Sequence, residues 1–265
     1  MAFEYASRAT KGARNYQEDA ATVRPAGGEH PVPATGQGLT AFTAVLADGM
    51  GGHAGGALAS TTACSVFMRS LEASAAAEVT DRLDDALKLA NAAIGQCVEE
   101  NPALDGMGCT LIGTVFSAAG VEWVSVGDSP LYLLRQAEIV SLNEDHSLAP
   151  EIDKLAAAGH LSWEDAKNDP RRHFLRSALT GADMELIDRS RRALPLEKDD
   201  VVILASDGIH TLSSADIMRI VQENVVRGCE AIADALLAAV EAAGDIYQDN
   251  TTVVVIRVTE AVAAT

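Results

Sequence analysis

The sequence predicts an α+β fold in which helices pack against antiparallel sheets. Strands cluster between residues 109 and 141, where short turns such as 118–120 separate them, and this spacing favours an antiparallel meander over βαβ units. Helical segments come in separate blocks, at 55–98, 148–167 and 213–243. We expect one domain, because the 265 residues contain neither an internal repeat nor a low-complexity linker.

Strands are expected where short apolar or β-branched runs stand between turn residues. In chain order these runs cover 3–9, 40–47, 109–117, 121–127, 130–135, 200–206 and 251–258. The run at 253–258 favours a strand over a helix because it is short and mostly β-branched. The Gly- and Pro-rich segment 25–38 is expected to form a surface loop.

Helices are expected where apolar residues recur at helical spacing. The clearest examples are 83–98, for which Thr80 is the expected N-cap, and 232–243. Shorter helices are expected to begin at Ser162 and Ser213, because each of these serines has an aspartate three residues later, as in a capping pair.

Composition and charge argue against several classes of protein. A net charge of −18 argues against a nucleic-acid partner, which needs a basic face. Residues 1–8 lack the apolar core of a signal peptide and no run of 18 apolar residues exists, so we expect a cytoplasmic monomer without a membrane partner. Cys64, Cys97, Cys109 and Cys229 lack CxxC spacing and are expected to be buried thiols, not zinc ligands or disulfides.

The segment from Asp48 to His53 is the first candidate site. It follows the apolar run 42–47 directly, so Asp48 is expected at a strand end where the chain must turn before a helix over 55–71. The intervening glycines permit unusual backbone angles and a close approach of backbone oxygens to a ligand. A carboxylate, bare backbone and a histidine together indicate a site for a hard cation and a substrate, although an Asp that merely stabilises a turn is the alternative.

Further carboxylates recur at strand ends. Asp128, Asp207 and Asp249 each lie beside an apolar strand, and Glu18 and Asp19 follow the first strand. Two such charges about 5 Å apart at an effective dielectric constant of about 20 repel by roughly 3 kcal/mol, so a cluster would need cations or protonation. Oxygen-only ligands favour magnesium or manganese over zinc, and two bridged metals can activate a water and bind a phosphoryl oxygen.

Arg14 stands four residues before Glu18 and could reach the same site. Its guanidinium has the fork geometry that suits phosphate oxygens. An ordinary surface arginine is the alternative interpretation.

With these motifs, the chain resembles a bacterial member of the metal-dependent Ser/Thr protein phosphatases, the PPM (type 2C) family. The resemblance covers nearly the whole chain, and its motifs occur in the family's order. They lie at 14–19, 45–53, 108–111, 126–129, 145–147, 205–208 and 249–252. The resemblance implies a four-layer αββα sandwich of two antiparallel sheets, with a metal centre at one end.

The resemblance also implies a ligand set for two or three Mn²⁺ or Mg²⁺ ions. Asp48 would bridge two metals and the Gly49 carbonyl would bind one of them, while Asp207 and Asp249 would complete the first metal site. The remaining ligands are Glu18 and Asp19, which would hold metal-bound waters or ligate the second metal, and Asp128, which with Asp207 would form a weaker third site.

Three further expectations come from the resemblance. Arg14 would hold the substrate phosphate, and His53 would protonate the leaving serine or threonine oxygen, although a turn histidine without a proton role is the alternative. Residues 148–180 would form a flap beside the active site, or a solvated helical excursion. Four positions depart from the family pattern, and they are Gln17, Cys109, Pro130 and Asp169, of which Pro130 leaves the packing near Asp128 in question.

The implied activity is hydrolysis of phosphoserine and phosphothreonine on proteins, with direct attack by a metal-activated water. Phosphoproteins made by a bacterial Ser/Thr kinase are the expected partners. A catalytically silent PPM-fold binding or regulatory module is the rival, and the full set of expected carboxylates argues against it. A phosphatase of the HAD type is excluded because the segment Asp48-Gly49-Met50 lacks the second aspartate of an Asp-x-Asp motif.

Overall fold

The structure is a computed structural model that describes residues 1–26, 35–52 and 54–260. Its strands are β1 (Ala2–Thr10), β2 (Ala20–Pro25), β3 (Thr35–Leu39), β4 (Phe42–Ala47), β5 (Gly49–Met50), β6 (Gly108–Cys109), β7 (Leu111–Ser117), β8 (Gly120–Val126), β9 (Leu131–Arg135), β10 (Glu138–Ser141), β11 (Asp188–Arg189), β12 (Val201–Ala205) and β13 (Thr251–Glu260). Its α-helices are α1 (Ala54–Ala73), α2 (Val79–Glu100), α3 (Ala149–Ala157), α4 (Trp163–Lys167), α5 (Ser214–Asn224) and α6 (Cys229–Ala242). None of these helices combines the length and the apolar content needed to span a bilayer.

Two antiparallel sheets form the centre of the fold. The first sheet has the strand order β10-β9-β12-β13-β1-β3, and the second has the order β11-β8-β7-β4-β2. Their inner faces bury a cluster of aromatic and aliphatic side chains, in which the rings of Phe42 and Phe116 stack with centroids 4.6 Å apart. Phe3 meets both rings edge-on, a favourable aromatic geometry.

Helices cover the outer face of each sheet. A cluster of apolar residues from α1 and α2 packs on the second sheet, and another from α5 and α6 packs on the first. The predicted α+β class and the αββα layering are therefore confirmed. Helix α2 shows why the periodicity could be read from the sequence, since Leu83, Leu87, Ala90 and Ile94 are all buried along one face.

Several local expectations hold at the level of single hydrogen bonds. The side chains of Ser162 and Ser213 accept hydrogen bonds from the backbone N–H groups three residues later, as predicted for N-caps. Thr80 is not an N-cap, because α2 begins at Val79 and Glu78 occupies the capping position without a side-chain hydrogen bond.

The strand region 109–141 is not one meander, so that prediction is wrong. β7 and β8 form a hairpin in the second sheet, whereas β9 and β10 belong to the first. The chain crosses between sheets after Gly127, whose φ of +105° lies in the left-handed region that favours glycine. A Cβ at Gly127 would stand 2.5 Å from a methyl carbon of Thr110, so the crossing is tightly packed.

The strands that were not predicted are β2, β3, β5, β10 and β11. β2 is only six residues long and ends at Pro25, and Arg24 within it is buried because its guanidinium pairs with Glu72 of α1 at 2.6 Å. β3 falls inside the segment expected to be a loop, and residues 27–34 of that segment lie outside the described residues.

Candidate metal centre

The strand registers bring the predicted acidic residues together at one end of the sandwich. Ala47 pairs with Ala20 across β4 and β2, which sets Asp48 beside Asp19. Ala205 pairs with Val253 across β12 and β13, which sets the segment after β12 beside the segment before β13. Because the two sheets pack face to face, the acidic ends of both strand pairs lie around one cavity.

This cavity, here called the acidic cleft, has a volume of about 810 Å³. Most of the predicted site residues line it. They are Arg14, Glu18, Asp48, Gly49, Asp128, Asp207 and Asp249. Asp19 does not line the cleft and instead lies buried beside it. His53 lies outside the described residues.

Burial and mutual repulsion raise the pKa values of four carboxyl groups in the cluster, those of Asp19, Asp48, Asp128 and Asp207. Burial, followed by the charges of Asp19, Asp207, Asp128 and Asp249, raises the pKa of Asp48 well above its usual range. Burial and the charges of Asp207 and Asp249 raise the pKa of Asp19 to about 6, although hydrogen bonds oppose the shift.

Asp128 and Asp207 show the same effect. Burial, then the charges of Asp207 and Asp145, raises the pKa of Asp128 to about 7. Burial and the charge of Asp249 raise the pKa of Asp207, whereas a hydrogen bond from the Asp48 carboxyl acts in the opposite direction. These carboxylates are therefore close enough to repel one another, which a cation would relieve.

Residues beside the ends of β12 and β13 hold Glu18 and Asp19 in place through hydrogen bonds. Ser206 Oγ donates to Asp19 Oδ2 at 2.8 Å, and Ser206 Oγ also accepts the backbone N–H of Thr252 at 2.9 Å. Asn250 Oδ1 accepts the backbone N–H of Glu18 at 2.8 Å. Ser206 and Asn250 were not singled out from the sequence, although both stand beside a predicted aspartate within a motif.

Asp48 is fixed through its own backbone. Its N–H donates to Thr110 Oγ1 at 3.0 Å, and its carbonyl accepts the N–H of Thr110 at 2.9 Å. Thr110 Oγ1 also lies 2.7 Å from Ser129 Oγ. These contacts tie the turn after β4 to the second sheet, so the carboxylate extends from a rigid support.

Glycines stand in and beside the cleft where backbone atoms approach closely, since Gly49 lines it and Gly56 packs against Gly49 and Glu18. A Cβ at Gly49 would collide with the carbonyl oxygen of Gly56 and stand 2.5 Å from that of Glu18. A Cβ at Gly56 would collide with the Glu18 carboxylate. Bare backbone at both positions is therefore required by the packing of the site, not only by a turn.

Arg14 reaches the cleft, as the sequence suggested it could. Its Nη2 donates to Asp249 Oδ2 at 2.6 Å, and both side chains are 43% exposed, so the guanidinium can also meet a ligand. The backbone around Arg14 is held by Asn250, whose Nδ2 donates to the carbonyls of Lys11 and Tyr16.

The flap and the departures from the family pattern are also placed. Residues 173–178 line one wall of the acidic cleft, and they pair with residues 146–148 through an antiparallel bridge. The Pro130 carbonyl accepts the N–H of Ala205 at 3.1 Å, so the backbone two residues after Asp128 is tied to the end of β12. Asp169 caps the turn at Arg171, and Cys109 is a fully buried thiol whose pKa burial raises strongly.

The donor set fits a hard divalent cation. Every predicted side-chain ligand offers carboxylate oxygen, and the pKa values of Asp19, Asp48, Asp128 and Asp207 are raised, as expected where a positive charge belongs. No three His, Cys, Asp or Glu side chains of the described residues already surround a single point. Mg²⁺ typically binds through one or two carboxylates and keeps several waters, so a closed protein cage is not required.

Comparison with known proteins gives a consistent family. The protein phosphatase 2C family model matches residues 34–241. The serine/threonine protein phosphatase PstP of Mycobacterium tuberculosis is 35% identical over 166 residues, which are 62% of this chain and 31% of PstP. The serine/threonine phosphatase Stp of Listeria innocua is 33% identical over 169 residues, which are 62% of this chain and 65% of Stp. The chain thus spans under a third of PstP and just under two thirds of Stp.

Solved structures agree over almost the whole chain. A crystal structure of M. tuberculosis PstP superposes with a TM-score of 0.78 at 29% identity, covering 98% of this chain and 100% of that one. The PstP catalytic domain in complex with two manganese ions gives a TM-score of 0.76 at 29% identity, covering 98% and 99%.

Proposed function

The chain belongs to the protein phosphatase 2C family, and we propose that it hydrolyses phosphoserine and phosphothreonine esters of proteins with Mn²⁺ or Mg²⁺. The observation that carries this proposal is the convergence of Arg14 and a set of crowded carboxylates on one cleft. The two manganese ions in the similar PstP catalytic domain support the choice of metal.

The residues proposed to hold metal fall into three sets. The first ion would be held by Asp48, the Gly49 carbonyl, Asp207 and Asp249. The second would be held by Asp48 together with Glu18 and Asp19. A weaker third ion would be held by Asp128 and Asp207. When bound, such ions polarise phosphoryl oxygens and lower the pKa of the attacking water.

The remaining steps belong to side chains of this protein. Arg14 binds and orients the phosphate through charge-assisted hydrogen bonds, while Asp249 holds the guanidinium in position before substrate arrives. Ser206 keeps the Asp19 carboxylate oriented. His53 is proposed to protonate the leaving oxygen, a role that rests on the family resemblance alone.

The proposed partners are phosphorylated proteins, including substrates of a bacterial Ser/Thr kinase, and the protein is proposed to act as a monomer. A net charge of −18 disfavours a nucleic-acid partner, because the phosphate backbone would be repelled. A phosphoprotein can instead present one phosphate to Arg14 and the bound metal.

Hydrolysis of p-nitrophenyl phosphate and of a phosphothreonine peptide tests the proposal. We expect turnover with Mn²⁺ or Mg²⁺, none with EDTA, and loss of turnover in Asp207→Asn. Asp85→Asn is the matched control, because Asp85 is exposed on α2 and does not line the cleft. Equal activity of Asp207→Asn and the parent protein would refute the metal role, whereas calorimetric Mn²⁺ binding without turnover would indicate the silent module.

A further inference from the structure

The acidic cleft extends well beyond the carboxylate cluster. Phe174 of the flap and two acidic residues of the following segment, Asp183 and Glu185, line the same cavity as Arg14 and Asp48. We call Phe174, Asp183 and Glu185 the outer wall. A volume of about 810 Å³ is far more than one phosphate group needs, so the outer wall is placed to meet the residues of the substrate that flank the phosphorylated one.

The segment that carries the acidic part of the outer wall is fixed to α2. Asn91, which is 8% exposed, accepts the N–H groups of Thr180 and Gly181 at 3.0 and 2.9 Å and donates to the Ala182 carbonyl at 2.7 Å. A Cβ at Gly181 would collide with the backbone of Gly95, so the segment lies directly on the helix. The position of Asp183 is therefore set by buried contacts.

A second set of contacts joins this segment to the flap. Ser177 Oγ donates to the Leu186 carbonyl at 2.9 Å and accepts the Leu186 N–H at 3.2 Å. Residue 177 follows Phe174 by three positions and residue 186 follows Glu185 directly, so the segment that carries Glu185 is docked against the part of the flap that follows Phe174.

The charges of the outer wall are not neutralised by the protein. Asp183 and Glu185 are exposed, and neither forms an ion pair or hydrogen bond with any described residue. The arginines that line the cleft are engaged elsewhere, since Arg14 pairs with Asp249 at 2.6 Å and Arg176 pairs with Glu151 at 3.1 Å. Phe174, which lines the same cleft as these two carboxylates, is 61% exposed.

We propose that the outer wall is a subsite for a lysine or arginine side chain that flanks the phosphorylated residue of the substrate. The inference rests on the proposed phosphatase function and narrows its substrates to phosphoproteins with a basic residue near the phosphorylation site. Two carboxylates attract a cation, and the exposed face of an aromatic ring adds a cation–π contact. An acidic flanking residue is repelled by the same carboxylates.

Two phosphothreonine peptides that differ in one side chain test the subsite on the parent protein. One peptide of each pair carries arginine, and the other carries citrulline, a neutral analogue of the same shape. A separate pair is made for each position from four residues before to four residues after the phosphothreonine. We expect kcat/KM to be about threefold to tenfold higher for arginine at one or two adjacent positions, as two partly exposed charge pairs would give. Equal values at every position would overturn the proposal.

The double variant Asp183→Asn/Glu185→Gln then assigns the preference. We expect it to treat both peptides alike. Its hydrolysis of p-nitrophenyl phosphate, which has no flanking residue, reports whether the double variant is folded and active. Glu99→Gln/Glu138→Gln is the matched control, because it makes the same charge change at exposed residues outside the cleft. A preference that survives in the first double variant, or is lost equally in the control, would overturn the assignment to the outer wall.

Hydrolysis of p-nitrophenyl phosphate separates the two levels of inference. If the parent protein with Mn²⁺ does not hydrolyse it, the proposed function itself fails. If the parent hydrolyses it and the peptides show no preference, only the subsite fails.

Discussion

Replacing Gly56 with alanine tests how tightly the backbone packs around Glu18 at the proposed metal centre. A Cβ at Gly56 would collide with Glu18 Oε1 and stand 2.9 Å from the carboxylate carbon of Glu18. The carbonyl carbon of Gly49 is also 2.9 Å away, so neither neighbour can retreat without moving the site. Gly55→Ala is the matched control, because among the described residues the one atom that its Cβ would meet is the Met107 Cβ, at 3.3 Å.

The expected magnitude follows from overpacking. Inserting a methyl group into a filled site costs about 1–3 kcal/mol, which for a chain of this length lowers the melting temperature by about 2–12 °C. Displacing a carboxylate that orients a metal site weakens metal binding by about 10- to 100-fold. Gly55→Ala should instead stay within about 1 kcal/mol of the parent, since alanine is the better helix former.

Calorimetric titration with Mn²⁺ and thermal melting with and without the ion measure both effects. We expect the dissociation constant of Gly56→Ala to rise at least about tenfold while that of Gly55→Ala is unchanged. If Gly56→Ala binds Mn²⁺ as the parent does and melts with Gly55→Ala, the Glu18 carboxylate does not pack against Gly56 in solution.

Three other predictions follow from contacts in the same cleft. Ser206→Ala should lower the free energy of unfolding, measured by urea denaturation, by about 1–3 kcal/mol, because it leaves the buried Thr252 N–H without its acceptor. Ser65→Ala on the exposed face of α1 is the control, and an equal change in unfolding free energy in the two variants would contradict the prediction. In EDTA, the melting temperature should fall as pH rises from 4 to 7. The reason is that the pKa of Asp128 is about 7 in the folded protein and about 4 in the unfolded chain, so the folded state loses its advantage in proton binding over this range. Asp128→Asn should flatten this dependence of melting temperature on pH, and an unchanged slope in that variant would contradict the assignment to Asp128. Arg14→Ala should raise the KM for a phosphopeptide by roughly 10- to 100-fold, as loss of a charge-assisted hydrogen bond implies; a fall in kcat with KM intact would argue against phosphate binding by Arg14.

The sequence predicts best where local pattern and global structure coincide. Asp48 and Asp207 follow continuous apolar runs, so their positions at strand ends could be identified without knowing which strands pair. The α2 helix could be identified because its buried face repeats at helical spacing. The chemistry of the cleft was therefore accessible from short segments.

Features that depend on distant contacts could not be identified in this way. The hairpin β7–β8 and the hairpin β9–β10 have similar local patterns, and only the crossing at Gly127 places them in different sheets. Strand β2 was missed because a buried Arg24 does not look like a strand residue until its partner Glu72 is known. Asn91 belongs to the helix pattern of α2, and nothing local signals its three bonds to residues 180–182.

The amide of Asn250 has a consequence for how the protein is made. This one side chain binds the backbone of Lys11, Tyr16 and Glu18, so the early segment that carries Arg14 is held by the start of β13. β13 also pairs along the whole length of β1. During synthesis, therefore, the ribosome must release residues up to about 260 before the first twenty can adopt this arrangement. A nascent chain that stops just before Asp249 already carries the other five proposed acidic ligands, but it lacks both Asn250 and the strand that hold the segment around Arg14.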